Sequence, residues 1–133
     1  MKSLITAAAV IVVGMAAATG TAAAQSLAQA GEASRGQRVF NTQCRACHTL
    51  EKDGASTAGP NLHGVFGRKA GTGGGYDSSD AMKKSGIVWD EATLAEYSRD
   101  PKGKVPGTKM LFNGVKNAGQ LADLVAYLKE ETK

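Results

Sequence analysis

The chain has 133 residues, enough for one small domain. It carries 16 Lys and Arg residues against 12 Asp and Glu residues, a formal net charge of +4. This excess is modest and no basic stripe with interleaved aromatic residues occurs, so the composition argues against nucleic-acid binding.

Residues 1–24 have the pattern of a secretory signal peptide. Lys2 precedes an almost unbroken apolar run from Leu4 to Ala18, and the segment ends in Ala22-Ala23-Ala24, a small-x-small cleavage site. The alternative is a retained membrane anchor, because the run extends towards about 20 residues if Thr19 to Ala24 are included. The tract is rich in alanine rather than leucine, which favours cleavage and export to the periplasm.

Cleavage after Ala24 leaves a short polar lead-in over residues 25–30 and one domain over residues 31–133. Loss of Lys2 leaves 15 basic against 12 acidic residues, a net charge of +3. A domain of about 105 residues folds alone but buries a limited fraction of its surface. Its few aromatic residues would be supplemented by a large apolar cofactor in the core.

Two helices are predicted in the first two thirds of the domain. The first begins after an N-cap at Ser34 and turns Val39 and Phe40 inward. The second begins after Asp90 and stops at Pro101, because proline cannot donate a hydrogen bond to the preceding turn.

The last predicted helix is the most regular. Four apolar residues recur at the i, i+3, i+4 and i+7 positions that form one face of a helix: Leu121, Leu124, Val125 and Leu128. Asp123, Lys129 and Glu130 fall off this stripe. A very short helix is also predicted from Ser79 to Ser85, ended by Gly86. No alternating strand pattern occurs, so the predicted fold class is all-α.

A long connection separates His48 from Trp89. It spans about 40 residues with little predicted regular structure, and connections of this length in a small domain are usually functional or disordered. This one contains turn-forming pieces such as "GPNLHG". We therefore expect it to wrap around a bound group.

The motif Cys44-Arg45-Ala46-Cys47-His48 contains the only two cysteines of the chain. Zinc binding is one hypothesis, but adjacent Cys47 and His48 cannot easily serve one tetrahedral ion. Thiol–disulfide exchange is another, although the motif usually opens a helix after a strand in a βαβ setting, which is missing. The third is the C-x-x-C-H attachment of c-type haem.

Each residue of this motif has a physical role in haem attachment. Two thiols three positions apart on a helical turn can reach two vinyl groups and form thioethers. The next residue, His48, then lies under the ring, where its imidazole can bind the iron. The motif therefore predicts one covalently bound haem c as the cofactor.

The second axial ligand has three candidates: His63, Met82 and Met110. Met110 lies in "KVPGTKMLF", where a Pro-Gly pair forces a turn that can direct the sulfur towards the ring. Met82 is expected to pack on the short helix, and His63 follows closely on the proximal side. Met110, 62 residues after His48, is the predicted ligand. Iron with two protein ligands suits one-electron transfer.

Three segments together resemble class I cytochrome c, of the mitochondrial-type and bacterial cytochrome c2 branch. They are "CRACHTLEKDGASTAGPNLHGVFGRKAGT", "GIVWDEATLAEYSRDPKGKVPGTKM" and "LADLVAYLKEETK". The resemblance extends from Gly31 to the end of the chain. It implies a fold of three main helices, one or two short ones and long loops around one covalently bound haem, with thioethers at Cys44 and Cys47 and axial ligands at His48 and Met110.

The resemblance also implies roles for the surroundings of the haem. The Pro60 carbonyl would accept a hydrogen bond from His48. Arg68 and Trp89 would lie near a buried propionate. The polar network beside Met110 would contain Tyr97 and Thr108. The crossing of the first and last helices would involve Gly36, Phe40, Leu124 and Tyr127.

The chain departs from the family pattern at several positions. Ser78 occupies the position of a tyrosine that usually reaches the propionates, and Tyr76 is a possible substitute. Met82 replaces an asparagine, while Gly103 and Asn117 replace basic residues at the haem edge. The remaining basic face consists of Arg45, Lys102, Lys104, Lys109 and Lys116.

The resemblance implies a soluble monomeric electron carrier and not an enzyme. Its expected donor resembles the cytochrome bc1 complex, and its acceptor is a terminal oxidase, a photosynthetic reaction centre or a periplasmic oxidoreductase. Two alternatives remain open: a haem-based peroxidase or gas-binding module with an open sixth position, and a membrane-anchored cytochrome c that retains its leader.

Overall fold

The computed structural model describes residues 30–73 and 75–133. Within these ranges the regular structure is helical: α1 (Ala33–Gln43), α2 (Asp80–Lys84), α3 (Glu91–Arg99), α4 (Pro101–Lys104) and α5 (Ala118–Glu131). The all-α prediction is confirmed. None of these helices has the length and apolar character required to cross a membrane. The predicted signal peptide, and all of the predicted lead-in except residue 30, lie outside the described residues.

The first and last helices cross at close range. A side chain on Gly36 would place its Cβ 1.9 Å from the backbone oxygen of Asp123, so only glycine allows α1 to approach α5 this closely. Next to it the rings of Phe40 and Tyr127 pack with their centroids 5.8 Å apart. The predicted stripe of α5 and the predicted inward residues of α1 are all buried.

Asp123 differs from the expectation for a residue off the apolar stripe. It is only 6% exposed. Its carboxylate accepts hydrogen bonds from the Arg35 side chain, at 2.8 and 3.0 Å, and from the backbone N–H of Glu32, at 2.7 Å. A buried carboxylate is tolerated here because α1 supplies these donors, a contact across 88 residues of chain that periodicity within α5 does not reveal.

The predicted N-cap of α1 at Ser34 is wrong by two residues. Helix α1 has Glu32 at the N-cap position, and Ser34 lies inside the first turn, where its hydroxyl donates to the Glu32 carboxylate. The bond from the Glu32 N–H to Asp123 holds this entry point against α5. Tertiary contact therefore moved the boundary away from the residue with the better capping propensity.

Pro101 ends α3 as predicted and also begins a second short helix, whose position was not predicted. The N-cap of α3 is Asp90, which forms a capping box with Thr93. After α3 ends at Arg99, Asp100 caps the four-residue α4, whose first residue is Pro101. Proline is compatible with this position because the first helical N–H has no intrahelical acceptor.

The connection from His48 to Trp89 contains the predicted short helix, α2, capped by Ser79, and one isolated bridge between Lys69 and Val88. Its apolar residues form a second core with α3 and with the residue that follows α4: Val65, Ala70, Trp89, Leu94, Tyr97 and Val105. The first core lies between α1 and α5. Leu62 and Phe66 contact both cores, and residues of both cores line one cavity.

Candidate haem site

A cavity of about 450 Å³ brings together the residues singled out by sequence. Its volume falls in the range of pockets that hold a small molecule or cofactor. The lining includes every predicted haem ligand, tether and second-sphere residue: Cys44, Cys47, His48, Pro60, Arg68, Tyr76, Trp89, Tyr97, Thr108 and Met110. Segments far apart in the chain therefore contribute to one wall.

The two cysteines follow directly from α1 and form no disulfide. Cys44 caps the C-terminus of α1 through its backbone N–H, and a helical turn carries the chain on to Cys47 and His48, whose N–H groups both donate to the Cys44 carbonyl at 3.0 Å. Burial, and secondarily the neighbouring Cys47, raises the pKa of the Cys44 thiol to about 11. Disulfide oxidoreductases need a lowered thiol pKa, so this environment disfavours thiol–disulfide exchange.

His48 is oriented by one hydrogen bond. Its Nδ1 lies 2.8 Å from the Pro60 carbonyl oxygen. Because a carbonyl only accepts, Nδ1 carries the proton in this bond and Nε2 has the free lone pair. Burial lowers the pKa of His48 despite the opposing effect of the Pro60 carbonyl. A neutral imidazole with a fixed tautomer is the form that binds metal ions.

Asn61 supports this side of the cavity and was not singled out by sequence. It is buried, and its side-chain nitrogen lies within 2.9 Å of Thr49 Oγ1 and of the backbone oxygens of Glu51 and Gly54. Its own side-chain oxygen accepts from the His63 N–H at 2.7 Å. The only sequence cue was an amide residue next to Pro60, which is too common in loops to be diagnostic.

Met110 is delivered by the segment between α4 and α5. Its backbone N–H donates to Thr108 Oγ1 at 3.3 Å, and this oxygen is 2.6 Å from the hydroxyl of Tyr97 on α3. Burial raises the pKa of the Tyr97 hydroxyl, with a smaller opposing effect from Thr108. The predicted polar pair beside Met110 therefore exists as a direct contact.

Arg68 and Trp89 place hydrogen-bond donors at the cavity. The Arg68 guanidinium donates to the backbone oxygens of His63 and Asn61, at 3.1 and 2.9 Å, and pairs with no carboxylate among residues 30–73 and 75–133. Burial lowers its pKa. The Trp89 indole packs on the Tyr97 ring, with centroids 5.3 Å apart, and its N–H has no acceptor within those ranges. A half-buried cation and a free donor in the lining of one cavity suit an anionic group on the ligand.

Tyr76 and Ser78 both line the cavity but differ in their contacts. The Tyr76 hydroxyl donates to the Ala58 carbonyl at 3.1 Å and so fastens its loop to the segment before Pro60. Ser78 is buried. The two other candidate iron ligands differ in their position relative to the cavity. Met82 lines it and packs on the second core, whereas His63 is not part of the lining.

The predicted basic face is less strongly charged than its lysine content indicates. Lys104 forms an ion pair with Glu96, and Lys109 with Asp77 at 3.0 Å. The Lys116 ammonium donates to the Arg99 carbonyl at 2.7 Å. Arg45 donates to the side-chain oxygen of Asn41 at 3.3 Å. Lys102 is exposed and forms no ion pair within the described part of the chain.

Leu111 is the most exposed large apolar residue in the described part of the chain, at 91%. It follows Met110 directly and lines the mouth of the cavity. An apolar side chain in this position offers a contact surface next to the bound group. It was not singled out by sequence, because an isolated exposed leucine carries no pattern.

The chemistry of the lining fits a haem. Its walls are mainly apolar, two thiols and an imidazole come from one turn, and a thioether comes from another segment. The donors of Arg68 and Trp89 are available to acidic substituents. In the described residues no three His, Cys, Asp or Glu side chains form a group that could hold a bare metal ion.

Known proteins are similar to this chain over nearly the whole described part. A family model described as cytochrome c matches residues 33–131. A cytochrome c from Gibberella zeae is 50% identical over 103 residues, which cover 77% of this chain and 97% of that protein. A cytochrome c from Nigella damascena is 47% identical, covering 79% and 95%. The solved structure of cytochrome cH from Methylobacterium extorquens is 48% identical with a TM-score of 0.70, covering 75% and 99%.

Proposed function

The chain belongs to the cytochrome c family of electron carriers and binds one covalently attached c-type haem, and from this we propose that His48 and Met110 are the two protein ligands of its iron. The observation that carries the proposal is that both side chains line the cavity to which Cys44 and Cys47 contribute. Cys44 and Cys47 are the proposed tethers.

The haem supplies an iron that cycles between two oxidation states. The chain would hold it from both parts of the fold. His48 would bind through Nε2, because Nδ1 donates to Pro60. Met110 would bind through its sulfur, with its backbone fixed by Thr108. A neutral thioether favours the ferrous state relative to an anionic ligand and raises the reduction potential.

The surrounding residues would bind and enclose the rest of the haem. Arg68 and Trp89 would donate to a propionate, since both line the cavity and neither has an anionic partner in the described chain. Tyr76 would hold its loop over the same edge through Ala58. With two protein ligands there is no free coordination position for a substrate, so we propose electron transfer without enzymatic turnover.

The proposed location is the periplasm, after removal of residues 1–24. The proposed partners are a donor resembling the cytochrome bc1 complex and an acceptor such as a terminal oxidase, a reaction centre or a periplasmic oxidoreductase. Contact would be made at the cavity mouth, where Leu111 is exposed. The basic residues around it would meet an acidic surface on the partner.

Carbon monoxide binding tests the proposed ligation. The oxidised holoprotein is expected to take up one electron per chain in an anaerobic titration, and the reduced form is expected to keep its absorption spectrum unchanged under carbon monoxide. Met110→Ala is expected to bind carbon monoxide rapidly, because the substitution removes one iron ligand. Rapid binding by the unsubstituted protein would contradict the proposal and support a gas-binding or peroxidase function.

A further inference from the structure

Asp77 joins two segments that border the cavity. It lies between Tyr76 and Ser78, which are lining residues, but its own side chain is 82% exposed. One carboxylate oxygen accepts from the Lys83 ammonium at 2.9 Å, and the other accepts from the Lys109 ammonium at 3.0 Å. The Lys109 ammonium also donates to the Asp77 backbone oxygen at 2.7 Å.

These contacts connect helix α2 with the segment that carries Met110. Lys83 belongs to α2, whereas Lys109 precedes Met110 directly in the chain. A second contact lies next to them: a Cβ on Gly107 would come within 3.0 Å of the Ala81 side chain. The turn before Met110 is therefore held against α2 by packing and by ion pairs together.

We propose that Asp77 is a positioning residue that ties the Met110 segment to α2 and thereby opposes the departure of the methionine sulfur from the iron. The inference rests on the proposed function, since it assumes that Met110 is a ligand. It concerns a residue that touches neither the cofactor nor Met110. Its effect would pass through Lys109 and the backbone of the segment.

The charges explain why Asp77 can act in this way. Both ammonium groups bind the same carboxylate, so without Asp77 the two positive charges of Lys83 and Lys109 would lie close together and repel. Hydrogen bonds from Lys83 and Lys109 lower the pKa of the Asp77 carboxyl to about 2, so that the group is ionised at neutral pH. Because the Asp77 side chain is largely exposed and the two lysine side chains are about half exposed, dissolved salt screens the interaction.

Imidazole competition measures how readily Met110 leaves the iron. The ferric holoprotein is titrated with imidazole at low and high ionic strength, and the loss of the sulfur-to-iron charge-transfer band is followed. At low ionic strength Asp77→Asn is expected to lower the apparent dissociation constant about threefold, the size of a small network of surface ion pairs. At high ionic strength the variant and the unsubstituted protein are expected to converge.

Two further variants separate positioning from a general charge effect. Asp53→Asn removes the same charge from an exposed residue that forms no ion pair within the described part of the chain, and it is expected to leave imidazole binding unchanged. In a Lys109→Gln background the Asp77→Asn substitution is expected to lose most of its effect, because the ion pair to the Met110 segment is already absent.

The proposal would be overturned if Asp77→Asn and the unsubstituted protein bound imidazole equally at low ionic strength. It would also be overturned if Asp53→Asn changed imidazole binding as much as Asp77→Asn does. The third contradicting outcome is a full effect of Asp77→Asn at high ionic strength or in the Lys109→Gln background. If the proposed iron ligation itself were wrong, the experiment would give a different result. In that case the unsubstituted ferric protein lacks the charge-transfer band before any imidazole is added.

Discussion

The hydrogen bond between Tyr97 and Thr108 stabilises the segment that carries Met110. Tyr97 is a buried residue of α3, whereas Thr108 is half-buried and lies two residues before Met110. Their oxygens are 2.6 Å apart, and the Thr108 oxygen also accepts from the Met110 N–H. Removing the Thr108 hydroxyl therefore leaves different groups without a hydrogen-bond partner than removing the Tyr97 hydroxyl does.

Thr108→Val is expected to destabilise the fold more than Tyr97→Phe. Thr108→Val leaves a buried Tyr97 hydroxyl and the Met110 N–H without their hydrogen-bond partner and is expected to cost about 1–3 kcal/mol. Tyr97→Phe leaves only the Thr108 hydroxyl without its partner. Water can reach this hydroxyl, so the expected cost is about 1 kcal/mol. Denaturant titration of the holoprotein measures both free energies of unfolding, and a larger loss in Tyr97→Phe would contradict this account.

Single residues were predictable where one motif fixes the chemistry. The C-x-x-C-H spacing singled out Cys44, Cys47 and His48, the Pro-Gly turn favoured Met110, and all four residues line the cavity. Asn61 and Asp77 were missed because their roles depend on partners brought together by the fold. Asp77 contacts Lys109 across 32 residues, and no local pattern encodes that contact.

The crossing of α1 and α5 depends on the absence of a side chain at Gly36. Gly36→Ala would place a methyl group 1.9 Å from the Asp123 backbone oxygen, which cannot move without displacing α5. We expect a loss of about 3 kcal/mol or more in the free energy of unfolding, the scale of overpacking in a tight core. Denaturant titration measures it.

Gly119→Ala is the matched control, because it adds the same methyl to α5 away from the crossing. Its Cβ would meet only the Asn117 side-chain oxygen, at 3.3 Å. The better helix propensity of alanine offsets this contact, so we expect a change within about 1 kcal/mol. Similar losses of unfolding free energy in the two variants would show that an added methyl group is no more destabilising at the crossing than away from it.

The Asp123 carboxylate at the same crossing is expected to make stability depend on acid. Hydrogen bonds from Arg35 and from the Glu32 N–H lower its pKa in the folded state. A lowered pKa stabilises the fold above the unfolded-state value of about 3.9, and this contribution is lost as the pH falls through the folded-state pKa.

Asp123→Asn is therefore expected to be less stable than the unsubstituted protein at neutral pH and to lose stability less steeply on acidification. Free energies of unfolding measured from about pH 6 down to about pH 2 test this sign. Other titrating groups contribute equally to both proteins. Parallel curves would contradict a role for this carboxylate.

Helices were predictable where the residues within the helix themselves define its buried face or its first residue. The 3.6-residue periodicity of α5 identified its buried stripe, and Asp90 marked the start of α3. The start of α1 was misplaced because the Glu32 contact to Asp123 outweighed the capping preference of Ser34. The position of helix α4 was missed because this helix has only four residues and begins with Pro101, a residue that usually ends helices.

At the scale of the whole molecule, charge is expected to affect the rate of encounter with partners. Lys104 and Glu96 form a pair with no net charge, whereas Lys102 contributes an unbalanced positive charge. Long-range attraction depends on the net field, and dissolved salt screens it.

The double variant Lys104→Gln/Glu96→Gln is therefore expected to leave the rate of electron exchange with membranes containing a bc1-type complex nearly unchanged. Lys102→Gln is expected to lower this rate by about twofold at low ionic strength and to have no effect at high salt. Stopped-flow rates across a range of ionic strengths distinguish the two. Equal effects of the double and the single variant would contradict the assignment of Lys102 to the docking face.

The whole-molecule fold was predictable because several motifs in order resembled one family, and the family matches residues 33–131. The distribution of charge at the haem edge was not predictable from the sequence. Counting lysines overestimated the basic face, since their ion pairs with Glu96 and Asp77 form only in the folded chain.

The central claim is that His48 and Met110 together hold the iron, and the sulfur-to-iron charge-transfer band of the ferric protein tests it most directly. We predict a low-spin spectrum with this band in the unsubstituted protein and in Met82→Ala, and its complete loss in Met110→Ala. A high-spin spectrum of the unsubstituted protein, or a band that survives Met110→Ala, would contradict the account.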